Sequence, residues 1–321
     1  MKYFAIILLL IAQSCQKPVK TENASSYIFT WVKDENDWNS DYIAVINSNP
    51  NDREYGSLVS TLPVGYSDIN AHHSEHRFHE IKELFVNGFS GGRSFIVDLN
   101  EPEYPKLKKT FTNIREYTFP HSFERLPSGN VLATFQTVGQ GNNEVGGLVE
   151  ISPDGDFVRS SNASDPQVAE FIRPYSLAIL PEIDRVISTS ADMKQKDLSN
   201  VVQVWRLSDL SLIKTMTLKP GPRGNEHFDP AEPRILKDGK TVLVSTFFCG
   251  LYRVKDIESN SPSIEWVYSF DFNDKYDCAI PVVNGDYWIQ AVGSKSAVVS
   301  LDVSDPEKPK KAHELKFKKG E

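Results

Sequence analysis

The stretch "NAHHSEHRFHE", Asn70 to Glu80, carries four of the seven histidines in a chain of 321 residues. Neutral imidazole is the commonest transition-metal ligand, and a histidine-rich set near a carboxylate or thiol suits copper, zinc or iron. Within the stretch, "HHSEH" also matches the inverted zinc-protease pattern H-x-x-E-H, in which two histidines one helical turn apart bind zinc and Glu75 acts as the base. That chemistry needs a helix. The preceding "LPVGYSD" contains Gly and Pro, and "KELFVNGF" reads as a strand a few residues later, so a helix of the required length does not fit. No third ligand on a partner helix is evident either.

The elements around the histidines are strands. From Tyr27 onward the chain shows short β-branched and aromatic runs separated by Gly, Pro, Asn and Asp, with no long helical periodicity. Self-comparison exposes a repeat. The segments "PHSFERLPSGNVLATF", "PYSLAILPEIDRVISTS", "AEPRILKDGKTVLVSTF" and "DCAIPVVNGDYWIQAV" each hold a strand, a turn and a second strand, and each is followed by a further strand and a return. The period, roughly 45 to 55 residues, is in the range of propellers and other arrays. Four strands per unit, arranged in a ring that leaves only short edges, predicts an all-β fold, a β-propeller of six or seven four-stranded blades. "AHELKF" near the C-terminus reads either as the outer strand of the last blade or as the inner strand of the first.

In such a ring the first strand of each blade lines the central channel, so residues some fifty apart in sequence converge. Placing the repeats in register brings His72 or His73, His121, Tyr175, the Ala231–Glu232 pair and the Asp277–Cys278 pair to the channel. His227, on the loop entering the fourth channel strand, is expected at the same mouth. "GQGNNEVGG", Gly139 to Gly147, joins two strands and reads as a hairpin loop, not a phosphate cradle.

The N-terminus has a different character. Lys2 precedes the apolar run Phe4 to Ala12, then small or polar residues and Cys15, the pattern of a secretory signal peptide over residues 1–14. The run is too short to span a bilayer, which takes about 20 apolar residues. "IAQSC" resembles a lipoprotein cleavage box, which makes Cys15 a lipidation site followed by a polar tether to residue 26, with one propeller domain over 27–321. The expected location is therefore the periplasm or the outer membrane of a bacterium, with the membrane reached only through the lipid. Only Cys249 and Cys278 then remain, either paired or as buried thiols. Net charge of -8 removes the basic excess that nucleic-acid binding requires.

Several segments together resemble the selenium-binding protein and methanethiol oxidase family. "DYIAVINSNPNDREYGSLVSTLPV" followed by "HHS" is similar to the family's opening, which leads to H-H-S-G-W. "SFIVDLNEPEYPKLKKTF", "FPHSFERLPSGNVLATF", "VVQVWRLSDLSLIKTMTL" and "LDVSDPEKPKK" match further segments. The resemblance implies a β-propeller related to exported copper enzymes that oxidise methanethiol to formaldehyde, sulfide and peroxide. By motif it makes His72, His73 and His121 metal ligands. "AHELKF" resembles the family's C-terminal H-E-L-R-Y, which makes His313 a possible fourth ligand, although the same residues align as an ordinary outer strand. The chain departs from the pattern where Glu75–His76 replace Gly-Trp, where Glu124–Arg125 replace His-Cys, and where a C-x-x-C segment is absent, so selenium binding through those cysteines is not implied. His76 and His79 occupy positions without a family ligand and are expected to face solvent or a loop.

The leading expectation is thus copper, with zinc as the alternative, held by His72, His73 and His121 plus one of His227, His313 or Glu232, acting on a small thiol. The rival is a non-enzymatic envelope propeller that binds a protein or glycan partner. A lactonase-type hydrolase would need Glu, Asn and Asp converging on calcium, and only Glu232 and Asp277 offer themselves.

Overall fold

The β-branched and aromatic runs form twenty-four strands in six antiparallel sheets among the described residues. The computed structural model describes residues 26–318 except 37, 68, 77–81, 89, 91, 142, 169–171, 194–196, 272–275 and 279. Residues 1–14, expected to form a signal peptide, Cys15 and His79 lie outside the described residues.

The first sheet has three strands, β1 (Tyr27–Val32), β2 (Ser40–Asn47) and β3 (Leu58–Ser67). The second comprises β4 (Ala71–Ser74), β5 (Glu83–Gly88), β6 (Arg93–Asp98) and β7 (Lys106–Phe111). In the third, β9 (Tyr117–Arg125), β10 (Val131–Val138), β11 (Gly147–Ile151) and β12 (Phe157–Asn162) carry the short β8 (Asn113–Ile114) at the β9 edge. The fourth is β13 (Pro174–Leu180), β14 (Arg185–Ser190), β15 (Val201–Arg206) and β16 (Leu212–Thr217). The fifth is β17 (Pro230–Ile235), β18 (Val242–Thr246), β19 (Gly250–Lys255) and β20 (Ser263–Ser269). The sixth is β21 (Val282–Asn284), β22 (Tyr287–Val292), β23 (Ala297–Asp302) and β24 (Lys310–Lys316). Strands β1, β4, β9, β13, β17 and β21 approach one another in that order, so each sheet presents its first long strand to the centre of a β-propeller.

The strand sequences explain the stacking. A sheet packed on both faces needs apolar side chains at successive positions, not only at alternate ones. In "VVQVWR" of β15, Val201 and Trp205 join Leu132, Leu148, Leu177 and Val186 in the core between the third and fourth sheets. Val202 and Val204 turn the other way, onto Val242, Val244 and Tyr252 of the fifth. Outer strands lose this requirement. β24, "KKAHELK", is exposed at six of its seven positions, and it pairs with β23 as the outermost strand of the sixth sheet. Of the two readings of "AHELKF", the structure therefore shows the outer strand of the last sheet.

Candidate metal centre

A regular strand sends consecutive side chains to opposite faces, so His72 and His73 could not both face the channel without a local irregularity. The structure supplies one. Ala71 pairs with Gly88 and Ser74 with Val86, which leaves His72 and His73 opposite Asn87 alone. The same two-against-one bulge recurs at His121–Ser122 opposite Thr134, at Tyr175–Ser176 opposite Thr189, and at Ala231–Glu232 opposite Ser245. Bulges bend the strand and re-aim side chains, and here they do so at the same level of four consecutive inner strands.

Three of the opposing polar side chains lock the bulges to each other. The His73 N–H donates to Asn87 Oδ1 at 2.7 Å, and Asn87 Nδ2 donates onward to the Pro120 carbonyl at 2.9 Å. The Ser122 N–H donates to Thr134 Oγ1 at 3.0 Å, whose hydroxyl donates to the Tyr175 carbonyl at 2.7 Å. The Ser176 N–H donates to Thr189 Oγ1 at 3.0 Å, whose hydroxyl donates to the Ala231 carbonyl at 2.6 Å. Each buried hydroxyl or amide thus satisfies the unpaired N–H of its own sheet and ties it to the next. Sequence reading missed these residues, although a lone polar side chain in the apolar runs "LFVNG" and "VLATF" was the available signal for Asn87 and Thr134; Thr189, between two serines in "RVISTS", carried none.

On this frame His72, His73 and His121 meet. Their ligand nitrogens all lie within 4.8 Å of one another. His72 Nε2 is 3.1 Å from His121 Nε2, and the His73 ring centre is 4.4 Å from each of the other two. His121 Nδ1 sits 2.6 Å from the Tyr175 carbonyl, an acceptor only, so Nδ1 carries the proton and Nε2 presents its lone pair to the cluster. A carbonyl that fixes the tautomer in this way is the usual support for a metal-binding imidazole. The Tyr175 ring stacks on His121 at 3.9 Å.

His73 also belongs to a second group, with His76 and Glu232, again with donor atoms within 4.8 Å. His76 lies in the bend after β4 and is exposed as a residue, yet its side chain is 21% exposed, with Nε2 3.7 Å from Glu232 Oε2. Glu232 is fully buried. Its Oε2 accepts from Ser176 Oγ at 2.6 Å and from Arg234 Nη1 at 2.7 Å. Burial alone would raise its pKa, but Arg234, His76, His73 and the Ser176 hydroxyl outweigh that and hold it below the usual value.

Two cavities flank these groups, at opposite ends of the inner strands. One, of about 790 Å³, is lined by His72, His73, His76, Tyr175 and Phe247 among others. The other, of about 730 Å³, is lined by His76, Arg125 and Arg234 among others. His76 borders both.

The remaining candidates are placed elsewhere. His227 is buried, with its ring centre 3.9 Å from that of its neighbour Phe228, and it joins neither of the two groups. His313 is exposed on outer strand β24 opposite Ser300, so it is not positioned to be a fourth ligand. Asp277 borders the first cavity, yet its carboxylate accepts from the N–H of Ser294 at 2.6 Å and from its hydroxyl at 3.1 Å, holding a turn. Cys278 borders the same cavity and forms a disulfide with Cys249, so it offers no thiolate. Glu75 cannot be a protease base. His72 and His73 lie on strand β4, and the Glu75 carboxylate is clamped by Arg125, with both side chains almost fully buried.

Burial depresses all three imidazoles of the first group. Loss of solvation, aided by His73, brings His72 to about 3. Loss of solvation also brings His73 to about 4, opposed by Glu232 and aided by His76 and Arg234. His121 is lowered well below its ordinary value by burial and by its two neighbours. These groups stay neutral in the folded protein while the unfolded chain binds protons near pH 6.5, so the stability they contribute is complete above 6.5 and lost as pH falls toward 4. The melting temperature of metal-free protein should therefore drop between pH 7 and pH 5, less so in His73→Gln. A flat profile over that window would contradict the burial of neutral imidazoles.

No protein-family model matches the chain. A methanethiol oxidase from Hyphomicrobium is 31% identical over 39% of this chain, and the match spans 30% of that enzyme's length. Among solved structures, a hypothetical selenium-binding protein from Sulfolobus tokodaii superposes with TM-score 0.69 at 14% identity, over 91% of this chain and 74% of that one. The periplasmic gluconolactonase of Pseudomonas aeruginosa gives 0.62 at 11% identity, over 92% and 83%. A β-propeller domain from Myceliophteria thermophila gives 0.61 at 11%, over 92% and 83%. At these identities the structural likenesses speak for the propeller fold.

Proposed function

We propose that the chain is an exported, metal-dependent oxidase of small thiols, with copper held by His72, His73 and His121. The observation that carries the reading is the donor set. Three imidazoles converge, His73 and His121 buried and His72 exposed, and His121 has its outer nitrogen committed to the Tyr175 carbonyl so that the inner one faces the cluster. Soft-to-borderline nitrogen donors of this kind suit copper or zinc. The partial similarity to a methanethiol oxidase favours copper and a thiol substrate. When bound, copper would polarise the thiol as thiolate and pass its electrons to dioxygen.

The chain's own residues do the rest. His121 and Tyr175 orient the donors, while Tyr175, Met193 and Phe247 give the adjoining cavity an apolar wall for the carbon end of the thiol. The Cys249–Cys278 disulfide suits an oxidising compartment, in keeping with export and lipidation at Cys15. Envelope proteins are the partner class that such a tethered propeller would meet.

Protein purified from the envelope and loaded with copper should hold near-stoichiometric metal and consume methanethiol aerobically with peroxide formation. Metal content should fall at least about tenfold in the His72→Ala/His73→Ala double variant, as loss of ligands predicts. A chain that stays metal-free after loading would sink the proposal. Metal without thiol consumption would favour a binding propeller.

A further inference from the structure

We infer that the channel holds a second cation site, formed by His73, His76 and Glu232 on the side toward the second cavity, for a borderline divalent ion such as Zn(II) or Cu(II). It goes beyond the three-histidine centre because it recruits His76 and Glu232, which that centre does not contain.

The argument starts from Glu232. Its Oε2 has two donors, Ser176 and Arg234, while Oε1 is buried with no hydrogen-bond partner among the described residues. A buried acceptor left unsatisfied is rare and calls for an ion or water at that place. The His76 nitrogen is 3.7 Å from Oε2, too long for a hydrogen bond yet suited to two donors sharing one ion at bonds of about 2 Å each. His73 brings a second nitrogen within the same 4.8 Å limit. Two imidazoles and a carboxylate are a zinc- or copper-type set with room for a further ligand. The second cavity reaches His76, which gives the site its own route to solvent. A neutral imidazole offers one lone pair, so His73 holds both ions only by releasing its remaining N–H proton to solvent and bridging them, and the second ion therefore binds more weakly than the first.

Calorimetric titration of the metal-free full chain with Zn(II), and separately with Cu(II), tests this, with metal content measured after desalting. Two equivalents in two steps are expected. Glu232→Gln should weaken the second step at least about tenfold and keep the first, whereas His121→Ala should weaken the first and keep the second. His76→Ala provides a check that leaves the buried Ser176–Glu232–Arg234 network intact, should Glu232→Gln fail to fold by circular dichroism. A single equivalent in the wild type, unchanged in His76→Ala, would mean that His76 and Glu232 form an ion pair only. That outcome leaves the three-histidine centre standing; absence of both steps would remove both.

Discussion

Replacing Arg125 by Ala should destabilise the fold by about 3–5 kcal/mol, the cost of leaving a buried carboxylate without its partner. Arg125 meets Glu75 through two parallel bonds, Nε to Oε1 and Nη2 to Oε2, each 2.8 Å, with side chains only 3% and 2% exposed. Glu75 Oε2 also accepts the Phe85 N–H at 2.9 Å, and Arg125 Nη1 donates to the Gly129 carbonyl at 3.0 Å. The pair therefore joins the second and third sheets just beyond the histidines. Removing Arg125 strands the buried charge of Glu75 without its partner. Changing both members, Glu75→Leu with Arg125→Met, should recover most of the loss, because replacing a buried pair by apolar groups of similar size is often neutral. Urea unfolding followed by tryptophan fluorescence measures both. A loss below about 1 kcal/mol for Arg125→Ala, the range of exposed pairs, would contradict the burial of this one.

Opening the disulfide should cost a similar amount by another route. Cys249 and Cys278 close a loop of 29 residues, for which chain entropy predicts about 3–4 kcal/mol. Cys249 stands at the turn between β18 and β19, and Cys278 precedes β21 and bridges to Val292, so the bond staples the fifth sheet to the sixth. Cys249→Ser, Cys278→Ser and the double variant should lose the same stability, since either change removes the whole constraint and the effects cannot add. Wild-type protein unfolded in dithiothreitol should match them. Equal urea midpoints for oxidised and reduced wild type would show that the loop carries no such constraint.

These two features also show where sequence reading ran out. Glu75 and Arg125 appear in the sequence only as two unrelated departures from a motif, fifty residues apart, yet they are partners. Charge complementarity between departures was the signal that could have joined them. The expectation for His76 rests on the lack of a family ligand at its position, and Glu232, brought in from the fifth sheet to 3.7 Å from its Nε2, is a neighbour that no local pattern announces. His227 and His313 fail for the opposite reason. Their types suit a metal, but one stands apart from both groups beside Phe228 and the other rides on an outer strand that needs no buried face.

By itself the sequence determined the strands, the repeat and the propeller, because alternation, turn residues and apolar runs buried on both faces are written locally. It also put His72, His73, His121, Tyr175 and Glu232 at equivalent places in successive repeats. Only the tertiary structure decided which atoms meet. Register within a ring is set by bonds between sheets, and here the bulges opposite Asn87, Thr134 and Thr189 turn consecutive side chains toward one centre. Those bonds join residues that lie 33, 41 and 42 positions apart in the chain, so no local pattern could specify them.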